Sequence, residues 1–157
     1  MEIRIAETIN APLHKVFALT NDIERAGEWL PAGVKVEKLT KGPLRLGTRY
    51  RETRKVLGRV DTEIYEVTIY DPPKRSEVYA DGTKGTAGRG AFRFRIDFVP
   101  AGPNATQVDL TGTVTGMGCL GIIMYPVIRG ILRKHSTADL AGLKAWIERV
   151  VTQFPDS

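Results

Sequence analysis

The chain has 157 residues, 42% of them hydrophobic and 26% charged, a size and mix that fit one domain (1–157) with one core and exclude an intrinsically disordered chain. Cys119 is the only cysteine, which rules out an internal disulfide and a disulfide-stapled secreted scaffold, so a reducing, cytoplasmic setting is expected. The net charge of +5, from 23 basic and 18 acidic side chains, suits solubility and leaves room for an anionic partner.

The chain opens on a polar–apolar alternation without the apolar core and cleavage site of a signal peptide. Ile3, Ile5 and Ile9 lie at period two and predict a strand over Glu2 to Ile9, with Glu7 breaking its apolar face. Asn10 offers an N-cap and Pro12 a first turn for a short helix carrying Leu13, Val16 and Phe17, which ends near Thr20. A second short helix, capped by Asn21 or Asp22, runs until Gly27 and Pro31 stop it.

From Val34 the rhythm is strand, turn, strand. Val34 to Thr40, Leu46 to Val56, Val60 to Tyr70 and Arg75 to Ala80 are predicted strands, separated by turns at Lys41-Gly42-Pro43, Leu57-Gly58 and Asp71-Pro72-Pro73. Tyr65, Val67 and Ile69 are expected on one face. Asp81 to Gly90 holds four glycines and reads as a long, mobile connection. Phe92, Phe94, Ile96 and Phe98 then alternate with Arg93, Arg95 and Asp97, and Thr106 to Val114 returns as a seventh strand.

The last third changes period. Leu120, Ile123, Met124, Val127, Ile128, Ile131 and Leu132, then Leu140, Leu143, Ile147, Val150 and Val151, recur at three and four and predict one long helix or two in line, with a kink or a later start at Pro126. Its apolar run from Met117 to Ile128 falls well short of the about 20 residues that span a bilayer. The fold class is therefore α+β: a curved, seven-stranded antiparallel sheet gripping a long C-terminal helix. A sheet bent over one helix leaves a wide mouth where a small ligand can sit.

The whole chain resembles the START-like, Bet v 1-like superfamily, also known as polyketide cyclase/dehydrase-related or SRPBCC proteins. The resemblance is carried by Ile9-Asn10-Ala11-Pro12 with Val16-Phe17, by Asp22-Ile23 with Glu28-Trp29-Leu30-Pro31, and by Leu46-Gly47-Thr48-Arg49-Tyr50. Val67-Thr68-Ile69-Tyr70-Asp71-Pro72-Pro73 and Asp139-Leu140 with Gly142-Leu143-Lys144 complete it. It implies a helix-grip fold with a deep pocket for an apolar or amphipathic small molecule such as a lipid, a quinone or an aromatic polyketide. No reaction follows from it, because one fold serves many functions.

Trp29, Tyr50, Tyr65, Tyr79, Phe92, Phe94, Ile131 and His135 are the side chains expected to line the pocket. His135 continues the stripe from Ile131, and faces either the pocket as a proton-transfer group or the helix surface. Asp61, Glu63 and Tyr65 share a strand face and form the candidate catalytic set of a cyclase or dehydratase. In that reading a carboxylate acts as base, Tyr65 donates a hydrogen bond and an arginine such as Arg93 steadies an enolate. The alternative is that Glu63 meets solvent or pairs with Arg49, Arg51 or Arg93.

Between Lys35 and Arg59 nine basic residues face two acidic ones, which reads as a solvated outer face, as an arginine at the pocket rim, or as weak contact with an anionic membrane surface. Nucleic acid is not expected as a partner, since only Tyr50 stands near the basic segment as a stacking aromatic. His14 and His135 lack companions at metal-ligand spacing, and the glycine-rich stretches lack a phosphate-loop ending, so neither metal nor nucleotide cofactor is expected. Oligomeric state is not written in the sequence.

Overall fold

The computed structural model describes residues 1–155. Strand β1 (Glu2–Ile9) leads into helix α1 (Leu13–Thr20) and a 3-10 segment (Ile23–Glu28), followed by β2 (Lys35–Lys38), β3 (Arg49–Val56), β4 (Arg59–Asp71), β5 (Arg75–Asp81), β6 (Ala91–Gly102) and β7 (Ala105–Thr115). A short helix α2 (Gly118–Ile123) and the long helix α3 (Tyr125–Gln153) close the chain. The strands form one antiparallel sheet in the order β1-β7-β6-β5-β4-β3-β2. This is the helix-grip architecture expected from the element order.

Period-two alternation sends Phe94, Ile96 and Phe98 of β6 and Val108, Leu110 and Val114 of β7 to the concave face. There they meet Val16 and Phe17 of α1 and Leu140, Leu143, Trp146 and Ile147 of α3. Phe17 sits edge-on to Phe98 at 5.1 Å and packs on Tyr70 at 5.5 Å. The buried Trp146 ring, covered by Arg25 at 4.8 Å, donates its Nε1–H to Glu28 at 2.9 Å, while Arg25 grips the same carboxylate. That arrangement fastens the 3-10 segment to α3. Gly142 permits the approach, because a side chain there would collide with the Trp29 carbonyl.

Several local expectations are corrected. Asn10 does not cap α1: Pro12 occupies the cap position without a side-chain bond, and the Asn10 backbone N–H donates instead to Glu148. The second short helix forms after Asp22 as expected and is wound as a 3-10 helix, without a side-chain cap bond from Asp22. A bulge between Val67 and Ile69 inserts Thr68, so Ile69 pairs opposite Glu77 on the outer face and Tyr70 takes the inward position. The glycine-rich connection is folded down on β4: Thr86 N–H donates to the Thr62 carbonyl, Thr62 N–H donates to Thr86 Oγ1, and Ala87 N–H donates to Glu63.

At the C-terminal end Pro126 falls in the first turn of α3, where its missing N–H has no partner to lose, and the chain breaks between α2 and α3 at Met124 rather than kinking inside one helix. The predicted apolar stripe is accordingly half-buried at Ile128, Ile131 and Leu132 and fully buried only from Leu140 onward. Leu120, Ile122 and Ile123 of α2 are 63%, 75% and 75% exposed. No helix among the described residues is long and apolar enough to cross a membrane.

Candidate functional site

A cavity of about 480 Å3 lies between the concave face of the sheet and α3. Its apolar wall includes Phe92, Phe94, Leu110, Ile131, Leu140 and Leu143. Phe94 packs closely over Gly112, where a side chain would press on it and on Ile3. The end lined by Val56, Leu57, Met117 and Ile128 reaches the surface, and Leu57 at the tip of the β3–β4 hairpin is 77% exposed.

The polar side chains come mainly from β3 and β4. Register places Tyr50 opposite Tyr65, Glu52 opposite Glu63 and Arg54 opposite Asp61, so all six share the concave face and line the cavity. The two tyrosine rings stack at 5.5 Å with 21° between their planes, and Tyr65 leans on Phe94 at 6.0 Å. Burial pushes both phenols above their ordinary range and keeps them protonated as donors.

Glu63 is 9% exposed. Its Oε1 accepts the Ala87 N–H at 2.9 Å, whereas Oε2 is buried without a hydrogen-bond partner. Gly85 lies against the carboxylate so closely that any side chain there would strike it. Burial raises the Glu63 pKa, partly offset by the Ala87 bond and reinforced by Asp61. Asp61, nearer the turn of the β3–β4 hairpin, accepts a long bond from Thr86 Oγ1 at 3.5 Å.

Across the cavity, Arg54 ties the sheet to α3. Its Nε donates to Glu52 at 2.7 Å, Nη2 to Asp139 at 3.0 Å, and Nη1 stands 3.4 Å from His135 Nδ1. A guanidinium only donates, so Nδ1 accepts and the imidazole proton belongs on Nε2. Burial and the Arg54 charge hold the His135 pKa below its usual range, which favours the neutral ring. Burial raises Glu52 and Asp139 against the opposing pull of Arg54.

Of the residues expected to line a pocket, Trp29, Tyr50, Tyr65, Phe92, Phe94, Ile131 and His135 do so, and Asp61 and Glu63 join them. Tyr79 does not: it pairs with Arg93 on the outer face of the sheet, beneath that guanidinium at 5.1 Å. Arg93 is likewise outside and is bound to Glu77, so it cannot reach a ligand in the cavity. Glu63 pairs with none of Arg49, Arg51 and Arg93. The Arg54–Glu52–Asp139 network was not anticipated, although alternation places Glu52 and Arg54 on the side of Tyr50 and one helical turn separates His135 from Asp139. Among the described residues no three metal-binding side chains converge.

A sequence model of the family described as polyketide cyclase / dehydrase and lipid transport matches residues 2–148. No curated protein matches the chain. A protein from Thermus thermophilus has a similar structure, with a TM-score of 0.78, 22% identity, and coverage of 94% of this chain and 97% of that one. The Zhui aromatase/cyclase from Streptomyces sp. R1128 has a TM-score of 0.77 and 19% identity over 96% and 95% of the two chains. A START superfamily protein from Mycobacterium smegmatis has a TM-score of 0.76 and 15% identity over 95% and 98%. At these identities the structures share the fold.

Proposed function

The chain belongs to the polyketide cyclase, dehydrase and lipid transport family, and on that premise we propose that it is a ligand-binding domain whose cavity houses a hydrophobic or amphipathic small molecule. The observation that carries this reading is the cavity of about 480 Å3, open at one end, with a mainly apolar wall and polar groups confined to a few positions. The stacked Tyr50 and Tyr65 rings suit a flat, aromatic or quinone-like guest. Native mass spectrometry of freshly purified protein, with a thermal-shift screen of lipids, quinones and aromatic polyketides, tests it. A retained mass or a selective upward shift is expected. Apo protein throughout, with no compound shifting it, overturns the reading.

One observation favours a second reading, a cyclase or dehydratase: the Glu63 carboxylate has a buried, unpartnered oxygen beside Tyr65 on the cavity wall. Ionised Glu63 would take a proton from the carbon between two carbonyls, and Tyr65 would donate a hydrogen bond to the resulting enolate oxygen. Arg93 has no part in it. Deuterium exchange into an aryl 1,3-diketone is the measurement. Exchange that wild type catalyses and Glu63→Gln loses supports this chemistry, and background exchange with wild type removes it.

A further inference from the structure

The ionisable groups at the cavity wall do not share the sign of the chain. Glu52, Asp61, Glu63 and Asp139 bring carboxylates there, while Arg54 is the one guanidinium and no lysine joins it among the described residues. Glu77 also borders the cavity, but its side chain points to the outer face, where Arg93 and Thr68 engage the carboxylate. The chain as a whole carries +5, so a basic exterior encloses an acidic interior.

Arg54 is not available to hold an anion. Its Nε and Nη2 are bonded to Glu52 and Asp139, and Nη1 faces His135. An incoming carboxylate, sulfonate or phosphate would have to displace one of these partners and then sit beside the displaced charge in a space largely removed from water. The unmet hydrogen-bonding capacity points the same way. Glu63 Oε2 and Asp139 Oδ1 are shielded in this conformation and have no partner in the protein, and an ionised carboxylate can only accept, so a side-chain rotation would present either to a donor on the guest. Trp29 Nε1 is the single donor among the fully buried, unpartnered side-chain atoms at the cavity wall, and the Tyr50 and Tyr65 hydroxyls add donors that bring no positive charge to hold an anion.

Resting on the ligand-binding reading above, we propose that the cavity selects neutral or cationic amphiphiles that bring an O–H or N–H donor to Glu63 or Asp139, and turns anionic ones away. The raised carboxylate pKa values are consistent with this, because an added anion would raise them further. Anionic lipids would be held at the basic outer surface and excluded from the interior.

A matched pair of fluorescent probes tests the proposal on the full chain at neutral pH. N-phenyl-1-naphthylamine is neutral with one N–H, and its 8-sulfonate has the same skeleton with an added negative charge. The neutral probe should bind, and the sulfonate should displace it with an inhibition constant at least about tenfold weaker than the neutral probe's own dissociation constant. Reading displacement, rather than sulfonate fluorescence, separates the cavity from the basic exterior. Glu63→Gln and, separately, the more peripheral Asp61→Asn should each narrow the gap, so the test survives if one variant folds poorly. Equal affinities of the two probes for the cavity overturn the proposal and leave the ligand-binding reading intact. Failure of both to bind removes that reading and the proposal with it.

Discussion

Two buried ionisable residues carry most of the single-residue consequences of this structure. Arg54 is flanked by Glu52 and Asp139 on side chains that are only 16%, 17% and 22% exposed, so removing it strands two carboxylates. Arg54→Met is expected to lower unfolding free energy by roughly 3 kcal/mol, measured by urea denaturation. Arg51→Met, which breaks the solvent-exposed pair with Glu37, should change it by less than about 1 kcal/mol. Glu63 makes a pH prediction. Its pKa is raised above 4.5 by burial, so the folded chain prefers it protonated, and the stability it contributes is present below 4.5 and lost as pH rises from there through the folded value. Glu63→Gln should flatten the stability–pH curve in that window, and an unchanged slope would refute the assignment. The sequence exposed Glu63 through strand alternation, but not the pairing of Arg54, because a charged residue in a basic stretch reads as surface until a partner from a distant helix is placed beside it.

At the scale of elements, the 3-10 segment and α2 make opposite demands. The 3-10 segment is fixed to α3 through Trp146, Glu28 and Arg25, and only the bare Gly142 admits the Trp29 carbonyl. Gly142→Ala should therefore destabilise the protein by about 1–3 kcal/mol by forcing these elements apart, despite the better helix propensity of alanine. A stabilised variant would mean that the contact yields freely. Helix α2, by contrast, exposes Leu120, Ile122 and Ile123 next to a stretch, residues 110–138, that contains Arg129, Arg133 and Lys134 and no acidic residue. Apolar side chains amid cations suit an anionic lipid surface. Ile122→Ser with Ile123→Ser should leave thermal stability within about 0.5 kcal/mol of wild type and abolish co-sedimentation with phosphatidylserine vesicles. Wild type that stays in the supernatant would remove the membrane reading, and retained sedimentation of the variant would remove α2 from it. Seven strands and the long helix were legible from periods of 2 and 3.6, and Pro126 marked the place where the last helix starts afresh, whereas the Thr68 bulge was not legible, since it depends on what the neighbouring strands leave room for.

The whole molecule is a sheet closed over a helix that grips it unevenly. The order of elements was enough to anticipate the grip and a cavity, because one helix was the sole cover long enough for so wide an apolar face. The uneven seating of that helix emerges only in three dimensions. Every buried residue of α3 lies at or beyond Ser136, namely Ser136, Leu140, Leu143, Trp146 and Ile147, while Ile128, Ile131 and Leu132 in its first half face the cavity. The C-terminal half thus holds the helix in place, and the N-terminal half faces the cavity. Amide protons along α3 should record this as a gradient, exchanging slowly with solvent deuterium around Leu143 to Ile147 and orders of magnitude faster before Leu132. A bound guest should erase the gradient, so that one helix, read from end to end by hydrogen exchange, serves as a built-in gauge of occupancy.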